Sequence, residues 1–216
     1  GAATAHRARG AAGREEGGGM KERPILFSAP MVRALLAGTK TQTRRVVKFK
    51  PWHQIEERDD GTPWPWMYDS EYGGDCWIPC PYGQPGDRIW VREAWAWSGD
   101  GAVPAADRVR KGEVWFRADP ERSSPAIRWR PSIYMPRWAS RITLEVTGVR
   151  VERLQDIIVA DAMAEGVVEC APHLRGLEPC MDWRYAYEDL WVSINGPGTW
   201  DANPWVWVIE FKRVTP

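Results

Sequence analysis

Residues 141–154 constrain the fold more than any other stretch of this chain. Ile142, Leu144 and Val146 alternate with polar residues, the period of a strand with one buried face. Val149 and Val151 continue one step out of phase, and Gly148 stands at the change. A phase slip at a glycine marks a β-bulge or sharp bend, the device by which small barrels turn corners. A second strand begins at Trp205 and sets Trp205, Trp207, Ile209 and Phe211 against Val206 and Val208. It is apolar on both faces until Glu210, so it belongs inside a sheet. After a Gly86-Asp87 turn, residues 88–92 point Ile89 and Val91 one way and Arg88, Trp90 and Arg92 the other.

Helical spacing alternates with these strands, which makes the chain α+β. Residues 31–37 form a short apolar helix with Ser28 as N-cap, Pro30 in the first turn and Gly38 as the stop. Residues 155–166 predict a helix ending at Gly166, with Glu165 in a last turn whose dipole disfavours a carboxylate. Asp182 caps a third helix, striped by Trp183, Tyr187, Leu190, Trp191 and Ile194. With 216 residues and 44% apolar content, one domain can bury a core. We expect that domain over residues 20–216, beginning at Met20. Residues 1–19, rich in Gly and Ala, read as a disordered extension or cloning remnant and lack the apolar stretch of a signal peptide.

Residues 49–85 read as a long irregular insertion, held over one face of the core by Trp52, Trp64, Trp66 and Trp77. It is either a pocket wall or a packed loop. No apolar run approaches the length of a membrane span, so no membrane partner is expected and the location is cytoplasmic.

Net charge is zero, so any nucleic-acid contact must come from a local basic face. Two stretches qualify. From Arg33 to Lys50 there are six Lys or Arg and no acid, and the segment Gly38-Thr39-Lys40-Thr41-Gln42-Thr43-Arg44-Arg45 lies where a helix hands over to a strand. That junction suits an anionic or polar ligand, or is a solvated basic turn. Residues 122–141 carry five Arg and no acid, interleaved with Trp129, Tyr134 and Trp138. Together with Trp90 and Arg92, this is either a nucleic-acid surface that includes Arg137 and Trp138, or cation–π packing at the rim of the core. Of the fifteen Trp, ten lie between Trp52 and Trp138, and core packing is their default use. Glu93 reads as a site acid or, more simply, as the partner of a nearby Arg.

The G-x-K-x-x-T-x-R segment, followed by a P-G-D strand and a D-A-x-x-E-G helix, resembles the ASCH domain, a branch of the PUA-like superfamily. The likeness is greatest to ASCH proteins of tailed phages and prophages. It runs from Pro24 to Val214, through PILFSAPMVRALLAGTKTQTRR, CPYGQPGDRIWVREAW, MPRWASRITLEVTGVRVERLQDI, DAMAEGV and INGPGTWDANPWVWVIEFKRV. It implies a PUA-like small β-barrel with flanking helices, here enlarged by the Trp-rich insertion. Many ASCH proteins carry Glu where this chain has Thr43, whereas the small ASCH amidohydrolases carry Thr.

That subgroup implies a catalytic set of Lys40, Thr43 and Glu165 and hydrolysis of an N-acyl group on a modified nucleoside or base such as N4-acetylcytidine. Chemically, a hydroxyl needs a base to take its proton, a desolvated Lys can serve, and a carboxylate can orient it. Thr41, Arg44 and Arg45 would bind substrate, the two Arg steadying a developing oxyanion. No cofactor is required. The cleft is expected between the 38–45 turn and the Glu165 helix, with residues 122–141 at one edge. In a straight strand Lys40 and Thr43 point to opposite faces, so the chain must turn between them. The competing reading is an RNA-, single-stranded-DNA- or modified-nucleic-acid-binding module without catalysis; a ribonuclease is the third.

Cys76 and Cys80 are spaced like half of a zinc site, with Cys170 and Cys180 as a wide second half and His173 between them. The alternatives are a structural zinc or four reduced thiols.

Overall fold

The computed structural model describes residues 19–69, 73–97, 114–121, 127–167 and 179–214. Arg122, Cys170, His173 and the Cys180 side chain lie outside the described residues, as does nearly all of the 1–19 extension. The fold is α+β, mostly strand. A five-stranded sheet runs in the order β1 (Glu22–Leu26), β6 (Arg88–Arg92), β9 (Thr143–Arg153), β10 (Trp205–Val214), β2 (Gln42–Val46). Only β1 and β6 are parallel; the other neighbours are antiparallel. The sheet is open, with β1 and β2 at its edges.

Strand alternation sorts the core into two layers. Trp207, Ile209 and Phe211 of β10 face a layer built with Ile25, Ile89, Val91, Leu144 and helix α1 (Ala29–Leu36). Val206 and Val208 face the other layer, with Tyr187 and Trp191 of α3 (Pro179–Asn195) and Ala162 of α2 (Val159–Ala164). As its two apolar faces imply, β10 is an interior strand. The phase slip is also where expected: Glu210 pairs with Gly148 and Phe211 with Val146, so Thr147 is the extra residue of a bulge. A Cβ on Gly148 would lie 2.7 Å from Glu210 Oε2, so a larger residue there would push the end of that side chain aside.

Helix α1 stops at Gly38, whose φ of +77° suits glycine. Ser28 holds the N-cap position but makes no side-chain capping bond. Helix α3 starts at Pro179, ahead of Asp182, because proline tolerates a helix start where no N–H is needed. Its stripe ends early, since Ile194 is 52% exposed.

The insertion differs from expectation. Residues 49–85 are not structureless: they hold an antiparallel sheet of β3 (Gln54–Glu57), β4 (Pro63–Asp69) and β5 (Gly74–Trp77). Pro63 and Pro65 hid β4 from a sequence reading. They precede residues 66–69, the part that pairs with β5, so on that side they remove no ladder bond. Trp64 is the anchor, edge-on to Trp207 at 5.0 Å and donating Nε1–H to the Ile78 carbonyl at 2.8 Å. Trp52 and Trp77 are largely exposed and hold less. A further pair, β7 (Trp95–Trp97) and β8 (Val114–Phe116), covers a small cluster of Trp95, Met135 and Ala139. No helix of the described residues is long and apolar enough to cross a membrane.

Candidate functional site

The candidate site forms where α2 ends against the edge strand β2. Asp161 and Glu165 are four residues apart, which places both carboxylates on one side of α2. Lys40, Gln42 and Arg44 have the strand period and meet them. Lys40 forms a backbone bridge with Glu165, and the Thr41 N–H donates to the Ala164 carbonyl at 2.8 Å. These contacts close the expected cleft between the 38–45 turn and the helix. The open space lies beside them.

Lys40 Nζ donates to Glu165 Oε2 at 2.7 Å and to the Glu165 backbone carbonyl at 2.8 Å. It is therefore the ion-pair partner and a cationic cap for the end of α2, which offsets the unfavourable dipole position of Glu165. Both residues are about 2% exposed. Burial holds the Lys40 amine below the usual lysine range, with Glu165 partly restoring it.

Arg44 is the centre of an ion network. Its fully buried guanidinium donates to Glu165 Oε1 at 3.2 Å, Asp161 Oδ2 at 2.9 Å and Glu152 Oε1 at 2.5 Å. Arg150 of β9 continues it to Glu152 at 3.0 Å, Asp161 at 2.9 Å and Glu210. Gln42 Nε2 adds a bond to Asp161 Oδ1 at 3.0 Å. Burial opposes ionisation of Asp161, but Gln42, Arg44 and Arg150 outweigh it and hold the carboxyl below its usual range. Burial likewise opposes the Arg44 charge, and Glu165 and Glu152 more than restore it.

Thr43 has no such partner. It is 1% exposed and its buried Oγ1 has no hydrogen bond among the described residues, which costs about 1–3 kcal/mol. It pairs with Ile209, whereas Arg44 pairs with Val208, so the two face opposite core layers. Because β2 is an edge strand, a cavity of about 60 Å³ can wrap its rim and be lined by Thr43, Arg44, Arg45, Glu165 and Tyr187. Lys40 does not line this cavity; it grips Glu165, and its Nζ lies 5.5 Å from the Phe27 ring centroid, a ring that Arg45 flanks at 5.2 Å. A groove of about 730 Å³ adjoins, sharing Met31, Glu165 and Leu190 and lined further by Trp183, Thr39 and Val167.

Of the remaining predicted residues, Arg44 and Arg45 line the small cavity and the others line neither cavity. Arg44 spends donors on Glu165, Asp161 and Glu152. Arg45 donates to the Leu26 carbonyl at 2.8 Å and still lines the cavity. Thr41 is exposed and gives its backbone to β10 through Phe211 N–H at 2.9 Å. Trp90, Arg92, Arg137 and Trp138 line neither cavity. Arg137 pairs with Glu22 at 2.9 Å, Arg92 donates to the Met135 carbonyl at 2.9 Å, and Trp138 stands edge-on to Trp95 and Trp97. Glu93 is the bidentate partner of Arg141, at 2.9 and 3.1 Å. Cys76 and Cys80 carry free thiols, and burial pushes Cys80 up to about 11.

Asp161, Gln42, Glu152, Arg150 and Tyr187 were missed from sequence. The Asp161/Glu165 spacing was a usable signal; the β9 and β10 partners were not, because their approach is set by sheet pairing.

Gly166 sets how tightly α2 closes on the turn. Its φ is +78°, and an added Cβ would fall 2.8 Å from Ala34 Cβ and 2.9 Å from Lys40 Cβ. Gly166→Ala is expected to destabilise by about 2–4 kcal/mol, from left-handed strain plus overpacking. Urea unfolding checks this; a change under about 0.5 kcal/mol would mean the contact relaxes freely. Among known proteins, no family model, no curated protein and no solved structure matches the chain.

Proposed function

We propose that the chain is an ASCH-type domain of the PUA-like superfamily and an amidohydrolase that removes an N-acyl group from a modified nucleoside or base, of the N4-acetylcytidine type. One observation carries the reading. Lys40 and Glu165, 125 residues apart in sequence, form a buried pair at 2.7 Å, and Glu165 lines the same cavity as the unpartnered Thr43 hydroxyl. An orphaned buried hydroxyl in a cavity lined by Glu165, the carboxylate that holds the desolvated Lys40 amine, supplies the parts of an activated nucleophile. In this reading neutral Lys40 takes the Thr43 proton, Thr43 Oγ1 bonds to the acyl carbon, and the C–N bond breaks as the leaving amine gains the proton. Water then releases the acyl group. The small cavity suits the acyl end, and the adjoining groove has the volume of a nucleoside site.

Turnover of N4-acetylcytidine to cytidine, followed by chromatography, tests the proposal. Its pH dependence is a second readout. A lowered folded-state value means neutral amine at pH values where free lysine is charged. The rate is therefore expected to rise with pH through an apparent value below about 10.4. Lys40 makes stability rise with pH too, since between the two values the unfolded chain binds the extra proton. Absence of cytidine at high protein concentration removes the acetylcytidine form of the hypothesis.

The second reading is an RNA or modified-nucleic-acid binder. The exposed rings of Tyr134 and Trp138, 72% and 50% accessible, favour it. Salt-dependent affinity for single strands with no turnover would select it.

A further inference from the structure

A second cavity, of about 590 Å³, lies between the insertion sheet and the main sheet and shares no lining residue with the Glu165 site. Arg23, Arg58, Trp64, Trp77 and Asp87 line it. Arg58 is held between two indoles, its guanidinium carbon 3.5 Å from the Trp64 ring centroid and 5.5 Å from that of Trp77. Among the described residues its guanidinium makes no hydrogen bond or ion pair, while its backbone bonds to Thr62 and Gly61, and burial lowers its pKa, with Asp60 partly restoring it. Arg23 donates from Nη1 to the Pro81 carbonyl at 3.2 Å, and its buried Nε has no partner among the described residues. The one acid, Asp87, is 6% exposed and occupied by the N–H groups of Lys21 at 3.0 Å and Gln84 at 3.1 Å.

We propose that this cavity is a nucleotide-binding subsite, with Arg58 and Arg23 taking the phosphate and the Trp77 indole, 40% exposed, offering its surface to the base. Two guanidinium groups with unused donors match phosphate oxygens in fork geometry. A half-exposed indole beside them suits a ring attached to that phosphate. The volume lies within the range of small-ligand sites. An inorganic anion alone would leave the indole unused, and a neutral nucleoside would leave the guanidinium groups unpaired. The site stands whether or not the Glu165 cavity is catalytic.

Tryptophan fluorescence of the full chain, titrated with adenosine monophosphate, adenosine and inorganic phosphate, tests this. The monophosphate is expected to bind saturably and at least roughly tenfold more tightly than either fragment. Arg58→Gln and Trp77→Ala should each weaken it by roughly tenfold, and Arg58→Lys less, while Lys40→Ala leaves it unchanged. Equal thermal midpoints for Arg58→Gln and Arg58→Lys show that the loss is not unfolding. A short single strand binding more tightly than the monophosphate makes the phosphate part of a chain; equal affinity makes it a free nucleotide. No saturable binding, or binding indifferent to both Arg58→Gln and Trp77→Ala, overturns the proposal.

Discussion

Lys40→Ala is expected to lower kcat/KM for N4-acetylcytidine by roughly 10²–10⁴-fold, the range for removing a positioned proton acceptor. The fold should survive. Glu165 keeps its bond to Arg44 at 3.2 Å, and the loss of the Lys40 bonds at 2.7 and 2.8 Å is worth about 1–3 kcal/mol. Thr43→Val separates chemistry from packing. It removes a hydroxyl with no partner and keeps the volume, so stability should hold or rise while turnover disappears. Steady-state kinetics beside urea unfolding reads both. An active Thr43→Val protein would leave no nucleophile at this site, and the hydrolase mechanism as written would fall.

Arg44→Met should produce the largest stability loss, about 3–5 kcal/mol at neutral pH. The substitution keeps a long apolar stem but removes one cation at once from Glu165, Asp161 and Glu152, all within 3.2 Å of the guanidinium, leaving Lys40 to hold the first and Arg150 the other two. For a chain of this size that is roughly a 10 °C fall in midpoint. The deficit should also depend on pH. In the parent, Asp161 is ionised below its usual range, so its contribution is present above its unfolded value of about 3.9 and is lost as pH falls through the lower folded value. Without Arg44 the burial penalty is less opposed and the folded carboxyl titrates higher. The variant should therefore gain on the parent as pH is lowered from 7 toward about 4.5. Urea unfolding at the two pH values is the measurement. A pH-independent deficit under about 1 kcal/mol would show that the network orders the site without stabilising the fold.

Much of the frame was legible in the residues because it rests on local periods. The two-residue alternation of Ile142, Leu144 and Val146, broken at Gly148, is β9 with its bulge. The apolar faces of Trp205 to Phe211 give β10 its interior place, and Ile89 with Val91 gives β6. Gly38 and Gly166 end helices where left-handed backbone is required. Lys40, Thr43 and Glu165 come from the motif resemblance, and Glu93 reads as the partner of a nearby Arg, which the structure identifies as Arg141.

What the residues could not reveal arises from pairing between distant segments. The meander in residues 49–85 was hidden by Pro63 and Pro65, which are harmless only because β5 pairs with the later half of β4. Arg44 looks like a free cation in a basic turn; Glu152 on β9 and Asp161 on α2 make it a buried hub. Arg137 and Arg92 read as a binding surface, and it is tertiary structure that commits some of their donors to Glu22 and the Met135 carbonyl. The cavity at Thr43 exists because β2 has no neighbour on its outer side. Local chemistry set which segments become strands and helices. Burial and long-range sheet register decided which charges are paired and which hydroxyl is left unpartnered.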